Sequence, residues 1–188
     1  LIAGVMGGRV KAYTSTGWAP LELPSAPHHV SYGASTCMLN GRLHVMGGLD
    51  NDKHQVLEMS EDNEFSWTVK ADVPSEPPPA LHWGDEPRHA FSVVHEGKIW
   101  LIGGASYIPR VVIYDPKCDS WATGPDLPRP LNSRGDVRGR CSCSAAVLNG
   151  EIYIIDEQAV LILRGGLWEE VVADGEFAPR PGRRHDLD

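Results

Sequence analysis

The sequence lacks several features that mark common classes of protein. No run of apolar residues approaches the roughly 18 needed for a transmembrane helix, so we expect no membrane insertion. Basic residues are few, with 17 Lys and Arg against 25 Asp and Glu and a net charge of −8. A broad positive field is the usual mark of a nucleic-acid-binding protein. The composition therefore argues against a nucleic-acid partner.

Cysteine is also scarce, with four residues in 188. Cys141 and Cys143 lie two apart on a predicted strand, where they would point to the same face and could not easily bridge each other. No second pair follows at zinc spacing. Because no Asn-x-Ser/Thr sequon occurs either, we expect reduced thiols and an intracellular, cytoplasmic protein, with a disulfide or a metal or redox role as the alternatives.

The N-terminal segment, Leu1-Ile-Ala-Gly-Val-Met-Gly-Gly8, is apolar but lacks a basic region and a cleavage pattern. We interpret it as a strand and not as a signal peptide. The sequence has no initiator Met, so we expect it to be part of a longer or processed chain.

Motifs of catalysis are missing as well. The glycine doublets precede no helix and no Gly-Lys-Ser/Thr, and no G-x-S-x-G is present. The eight histidines are scattered, with no H-x-H or H-E-x-x-H pattern. Asp50-Asn51-Asp52 lacks the Gly and Glu of a calcium loop. We therefore expect no catalytic residues, no metal and no cofactor.

What the chain does have is glycine and proline, 20 and 15 residues respectively, which suit many short strands and turns. The pattern is clearest in residues 86–128, where turn signals at Glu96-Gly97 and Asp115-Pro116 separate short apolar segments. These segments predict four antiparallel strands, at Ala90–Val94, Ile99–Ile102, Val111–Tyr114 and from Trp121 onward.

The same pattern recurs along the chain. Gly41–Gly48 matches Gly97–Gly104, and Gly150–Ile155 is a third instance, at spacings of 56 and 53 residues. A tryptophan follows each of these three instances, and with Trp18 they form the series Trp18, Trp67, Trp121 and Trp168. A period near 50 residues with a glycine doublet and a downstream tryptophan is typical of one blade of a β-propeller.

These motifs resemble the kelch-repeat family. Pro87-Arg88, Gly103-Gly104, Tyr114-Asp115-Pro116 and Trp121 all fall where a kelch repeat has them. The resemblance implies an all-β propeller of four-stranded antiparallel blades. The glycine doublets then serve backbone conformation, and the aromatic residues pack between blades. Met59 is interpreted as the counterpart of Tyr114 in the preceding blade.

The repeats predict one kelch-type propeller domain over residues 1–188. We expect a partial blade at 1–24, blades at 25–74, 87–128 and 141–173, and the start of a further blade or a closing strand at 177–188. Two explanations fit this arrangement. The chain is a segment of a larger propeller, which we favour, or its C-terminal strand closes the first blade into a four-bladed ring.

The resemblance implies a protein–protein interaction module or scaffold that binds a partner through the loop face of the propeller. Trp, Tyr and Arg are the residues most enriched at interface hot spots, and arginine suits a partner with an acidic segment. The candidate partner-binding residues are His82, Trp83, Arg88, Tyr107, Arg110, Arg134, Arg138 and Arg140.

Two alternatives remain open. One is a kelch-propeller enzyme, either a sugar isomerase or a copper-radical oxidase. The oxidase would need Tyr and His ligands with a cysteine beside one Tyr, and nothing near Tyr107 completes that set. The other is a substrate-recognition domain of a ubiquitin ligase, which would require a dimerisation domain outside this sequence.

Overall fold

The computed structural model describes residues 2–6, 9–14, 17–20, 23–48, 51–62, 64–74, 90–104, 110–129, 131, 143–156 and 159–171, and for residues 2–20 the backbone alone. All regular secondary structure in these ranges is β-strand, which confirms the expected all-β class. None of these segments forms a helix of the length and apolar character that a bilayer crossing requires. The predicted closing or further strand at 177–188 lies outside the described residues.

The strands form four antiparallel sheets in which sequence neighbours are also spatial neighbours. The first sheet has three strands, β1 Ile2–Met6, β2 Arg9–Thr14 and β3 Gly17–Pro20. The second contains β4 Ser35–Leu39, β5 Arg42–Met46, β6 His54–Met59 and β7 Phe65–Lys70. The third contains β8 Phe91–His95, β9 Lys98–Ile102, β10 Val111–Asp115 and β11 Ser120–Thr123. The fourth contains β12 Ser144–Leu148, β13 Glu151–Ile155, β14 Val160–Arg164 and β15 Leu167–Val171.

The first hairpin of each four-stranded sheet turns on two residues with positive φ. Asn40-Gly41 has φ values of 51° and 75°, and Glu96-Gly97 has 50° and 72°. Asn149-Gly150 repeats them at 51° and 79°. Two positive values in succession define the type I′ turn, whose twist matches that of the flanking strands. The repeated turn therefore fixes the register of these hairpins, and the turn predicted at Glu96-Gly97 is confirmed.

The turn after β10 uses side-chain capping. The Asp115 carboxylate accepts a hydrogen bond from the Lys117 amide at 2.9 Å. Asp119, at the end of the same turn, adopts a φ of 48°. An Asp side chain that bonds the backbone two residues on closes such a turn. The predicted role of Asp115-Pro116 is thus met by the geometry.

Successive sheets bury apolar side chains against each other. Between the second and third sheets the buried core contains Leu39, Met46, Ile99, Leu101, Val112 and Tyr114. Between the third and fourth sheets it contains Val93, Ile102, Val111, Ile152, Ile154, Leu161 and Leu163. The first strands β4, β8 and β12 contact one another in series. The hydrophobic core therefore lies between sheets, as expected for blades that cannot bury a face alone.

The predicted packing of the tryptophans between sheets is visible in their hydrogen bonds. The indole Nε1 of Trp121 donates to the Ala71 carbonyl at 2.9 Å. Trp67 donates to the Pro24 carbonyl and Trp168 to the Pro125 carbonyl, again at 2.9 Å. Each accepting carbonyl lies just after the last strand of the preceding sheet. The tryptophan series therefore joins each sheet to the one before it.

The interpretation of Met59 was wrong. Tyr114 lies opposite Trp121 in the third sheet, and the residue opposite Trp67 in the second sheet is Leu57. Met59 instead lies opposite Phe65 and is exposed to solvent. The turn between β6 and β7 is longer than its counterpart in the third sheet, and the extra residues shift the sequence spacing without shifting the register.

The described cysteines, Cys37, Cys118 and Cys143, form no disulfide. Burial raises the pKa of the Cys37 thiol to about 11, so this thiol stays protonated at neutral pH. Cys143 was expected to lie on a strand. It lies one residue before β12 instead. Cys141 lies outside the described residues.

Candidate functional site

One end of every four-stranded sheet collects the long connections of the chain. In the third sheet Phe91, Ile102 and Val111 lie side by side, so β8 begins, β9 ends and β10 begins at the same end. The last residue of β11, Thr123, lies opposite Val112 and leaves at that end too. We call this end of the sheets the loop face. The links between sheets and the links between second and third strands all start and finish there.

A backbone hydrogen bond between described residues closes the link between the second and third strands in each four-stranded sheet. The amide of the residue after the second strand donates to the carbonyl of the residue before the third. The pairs are Gly47 to Lys53 at 3.0 Å, Gly103 to Arg110 at 2.8 Å and Asp156 to Ala159 at 3.1 Å. The loop face therefore has the same framework in all three sheets, including the fourth, which lacks the glycine doublet.

The glycine doublet of the second sheet is required by close packing. Gly48 has a φ of 115°, a conformation that L side chains rarely adopt. A Cβ atom at this position would lie 2.2 Å from Ser31 Oγ and 3.3 Å from the Ala34 amide nitrogen. Only glycine allows this approach of the two backbones. The doublet thus has the conformational role that the sequence predicted.

The segment that leads into β4 is attached to the loop face through polar side chains. Gln55 is buried, and its amide bonds both the His28 amide at 3.2 Å and the His28 carbonyl at 2.9 Å. Asn51 donates to the His29 carbonyl at 2.8 Å. The backbone at His28 and His29 is therefore held in place, which leaves the exposed His29 side chain on a defined surface.

Arg129 ties the exit of the third sheet to the fourth. Its guanidinium donates to both carboxylate oxygens of Asp156, which is buried, and to Glu170 at 2.8 Å. Hydrogen bonding to Asp156 raises the pKa of Arg129. A fork-shaped cation bound to two carboxylates is locked in orientation, and its charge is neutralised. Arg129 therefore serves the framework.

This contact was not predicted from the sequence. The signal that could have found it is Asp156, which stands where the other two sheets have the first glycine of the doublet. Its carboxylate also accepts the Ala159 amide at 2.9 Å, so it closes the link that glycine closes elsewhere. A buried carboxylate requires partners that compensate its charge, and Arg129 is one of them.

Of the predicted partner-binding residues, the structure describes Arg110 alone. It is half-buried, directly precedes β10, and its carbonyl accepts the Gly103 amide, so its backbone is fixed on the loop face. The others lie outside the described residues: His82, Trp83, Arg88, Tyr107, Arg134, Arg138 and Arg140.

No group of three or more metal-ligating His, Cys, Asp or Glu side chains is found in the described ranges. The only two histidines that meet there, His44 and His54, bond each other through their ring nitrogens at 2.9 Å. They lie between the second and third sheets, among the residues of the core.

Comparison with known proteins gives three curated relatives. Kelch-like protein 35 of Mus musculus is 28% identical over 152 residues, which cover 78% of this chain and 22% of that protein. Kelch repeat and BTB domain-containing protein 12 of Danio rerio is 29% identical, covering 72% and 22%. Kelch-like protein terF of Aspergillus terreus is 28% identical, covering 65% and 28%. The chain thus spans about a quarter of the length of these relatives. No model of a protein family matches it.

Solved structures agree on the fold. The structure of YjhT matches with a TM-score of 0.52 at 20% identity, over 70% of this chain and 35% of that one. A fungal alcohol oxidase of the AA5 family, in complex with copper, matches with a TM-score of 0.55 at 16% identity, over 79% and 32%. Identities this low show a shared fold and nothing of shared chemistry.

Repeated four-stranded antiparallel sheets that pack face to face, each joined to the last by a tryptophan, define the β-propeller class. In sequence, the chain is similar to kelch-like and kelch-repeat proteins over 65% to 78% of its length. This similarity supports the resemblance to kelch repeats that its motifs indicate.

Proposed function

We propose that this chain is a protein-interaction module whose loop face binds a partner carrying an acidic segment. The binding residues in this proposal are His82, Trp83, Arg88, Tyr107, Arg110, Arg134, Arg138 and Arg140. Trp83 and Tyr107 act as anchors, and the arginines pair with carboxylates of the partner.

The observation that carries the proposal is the direction of the strands. All of these residues belong to links whose flanking strands begin or end at the loop face. The chain leaves the third sheet at Thr123, at the same end of the sheet where β9 ends and β10 begins. The proposed arginines are concentrated in these links although the chain as a whole has a net charge of −8.

The framework of the loop face also favours binding at this end. Backbone hydrogen bonds, Gln55 and the Arg129–Asp156 pair fix the points from which the links emerge. Loops on a rigid scaffold are the usual carriers of recognition, since little order has to be created on binding. The relatives named for kelch repeats agree with this role without identifying a partner.

The test is a selection of displayed random peptides against residues 1–188. Acidic peptides should be enriched, and their affinity should fall at least 10-fold, about 1.4 kcal/mol, for the double variant Trp83→Ala with Arg138→Glu. Lys117→Glu is the matched charge control, because Lys117 is exposed in the turn between β10 and β11, at the opposite end of the sheet.

An affinity within about 2-fold of the original for the double variant would place the contact elsewhere, for instance on the outer strands. A different result of an activity assay would favour the enzymatic alternative. Alcohol or sugar turnover by residues 1–188, lost in the same double variant, would identify the loop face as a catalytic site.

A further inference from the structure

The interface between the second and third sheets contains two histidines that have aromatic or aliphatic counterparts elsewhere in the chain. His44 lies in the second strand of its sheet, between Cys37 and Val56. The residues at this place in the third and fourth sheets are Trp100 and Tyr153. His54 begins the third strand opposite Met46, where the other two sheets have valine. Imidazole groups therefore occupy one inter-sheet interface at positions that the third and fourth sheets fill with aromatic or aliphatic residues.

The two rings form a buried pair. His44 is 3% exposed and His54 is 0% exposed, and His44 Nδ1 lies 2.9 Å from His54 Nε2. One of these nitrogens must carry the proton and the other must accept it, which requires at least one neutral imidazole. The second nitrogen of His54, Nδ1, makes no hydrogen bond of ordinary geometry. The backbone of Ala71 lies close enough to favour a proton on His54, but the Ala71 carbonyl already accepts the Trp121 indole. The pair is therefore satisfied only in part.

The pair is packed directly against the third sheet. The His54 ring meets the Tyr114 ring edge-on, with centroids 4.5 Å apart and planes at 85°. Its centroid is 5.6 Å from that of Trp121, whose indole bonds the Ala71 carbonyl. The histidines thus contact the two aromatic residues that join this sheet to its neighbour.

Most of the nearby charge disfavours protonation. The titratable and charged groups that face the pair are Cys37 from β4, Arg42 from β5, Lys70 from β7, Tyr114 from β10 and Asp119 from the turn before β11. Burial, then Lys70 and Arg42, lower the pKa of His44 to about 4. Burial, then His44, lower the pKa of His54 to about 3, although Asp119 and the Ala71 backbone act in the opposite direction.

The Asp119 carboxylate is already engaged. It accepts the Ala71 amide at 3.0 Å and the Tyr114 hydroxyl at 2.8 Å. It therefore serves the same joint between the sheets and cannot move to the histidines without breaking those two bonds. An acidic neighbour is present, but it is not placed to hold a proton on the pair.

We propose that the His44–His54 pair is an acid-sensitive joint, which holds the second and third sheets together while both rings are neutral and releases them when protonated. The first proton places an unpaired charge in an apolar interface beside Lys70. The second proton turns both facing nitrogens into donors, so the hydrogen bond between the rings is lost. Among the described residues between the third and fourth sheets no histidine pair occurs, and the one histidine beside that core, His95, is only half-buried.

The direction of the pH effect follows from the depressed pKa values. The unfolded chain binds protons near pH 6.5, whereas the folded His44 binds one only near pH 4. The stabilisation that depends on a neutral His44 is therefore fully present above about pH 6.5. It is lost progressively as the pH falls through that value towards about 4. For His44 alone, the folding equilibrium constant should be roughly 30-fold lower at about pH 5 than at about pH 8.

The experiment compares denaturant unfolding of residues 1–188 at about pH 8 and about pH 5 with that of the double variant His44→Tyr with His54→Val. Both replacements are residues that the chain itself uses at the equivalent places, Tyr153 and Val160. Between about pH 8 and about pH 5 the folding equilibrium constant should fall in both chains. The factor by which it falls should be at least 10 times larger for the original chain than for the double variant. His29→Gln is the control, because His29 is exposed, and it should behave like the original chain.

Hydrogen exchange locates the effect. At about pH 5, amides of β5, β6 and β10 should exchange at least 10-fold faster than at about pH 8 after correction for intrinsic rates, while those of β13 and β14 change less. If the double variant does not fold, His44→Tyr alone serves the same comparison. An equal pH response in the original chain and the variants, or acceleration spread evenly over all sheets, would overturn the proposal.

Discussion

At the scale of single residues, the tryptophans contribute most clearly to the fold. Trp121 packs against the core between the second and third sheets and donates its indole proton to the Ala71 carbonyl. Its ring also lies near Tyr114, with centroids 5.2 Å apart. The side chain therefore combines apolar burial, an aromatic contact and a hydrogen bond across the joint between two sheets.

Trp121→Ala should reduce the free energy of unfolding by about 3–5 kcal/mol, because it removes a large aromatic group and leaves a cavity. Trp121→Phe keeps most of the apolar contact, and should lose about 1–2 kcal/mol with the hydrogen bond. Urea unfolding at neutral pH measures both. Met59→Ala is the control, since Met59 is exposed, and should change stability by less than about 0.5 kcal/mol. A loss below about 1 kcal/mol for Trp121→Ala would contradict its role in the joint.

A matched pair of glycines tests the loop face at the same scale. Gly48→Ala should cost about 3 kcal/mol, because it combines a strained φ with a Cβ atom 2.2 Å from Ser31 Oγ. Gly41→Ala should cost only about 1 kcal/mol, since a Cβ there meets nothing within 4 Å and only the positive φ is unfavourable. Thermal unfolding of the two variants gives the comparison. Equal losses would mean that the segment at Ser31 moves aside freely.

At the scale of the elements, strand positions could be predicted closely from the sequence. Alternating turn signals and apolar runs placed the strands of the third sheet within about two residues of where they lie. The error at Met59 arose because counting residues cannot detect a longer turn between strands in unchanged register. The contacts between elements were not predictable in the same way. The Arg129–Asp156 pair and the His44–His54 pair join residues 27 and 10 positions apart, across links whose path no local pattern specifies.

Arg129 provides a prediction at this scale. Arg129→Met should destabilise the chain by about 3–5 kcal/mol, because it removes the guanidinium that bonds both oxygens of the buried Asp156 carboxylate. Glu170→Gln should cost less than about 1 kcal/mol, since this second carboxylate is partly exposed and the Asp156 pair remains. Chemical unfolding distinguishes the two. Similar small losses for both variants would show that water or another cation reaches Asp156.

At the scale of the whole molecule, the fourth sheet has one face without a packing partner in the described part of the chain. Leu148, Ile155, Leu167 and Val171 lie on that face and are 46% to 73% exposed. The same face carries the Glu151–Arg164 ion pair, whose counterpart on the third sheet is Lys98–Asp115. In the third sheet, the corresponding face packs against the fourth sheet. An apolar face of this kind favours association.

Residues 1–188 should therefore form dimers or larger species at micromolar concentration. The variant Ile155→Lys with Leu167→Lys should shift the distribution towards monomer, because charged groups on the exposed face oppose its burial. Sedimentation velocity measures the change. Lys117→Glu is the control, since it alters surface charge away from that face. A cooperative monomer for the original chain would favour closure of the ring by its own strands.

The hydrogen bonds of the tryptophans also follow the order in which the chain is synthesised. Each indole reaches a carbonyl that precedes it in sequence, by 43 residues for Trp67, 50 for Trp121 and 43 for Trp168. A ribosome releases the chain from its N-terminus, so the carbonyl that each tryptophan needs has already emerged when the tryptophan does. The second, third and fourth sheets can each attach to a neighbour that has already been synthesised. The propeller can therefore assemble during its own translation, one sheet after another.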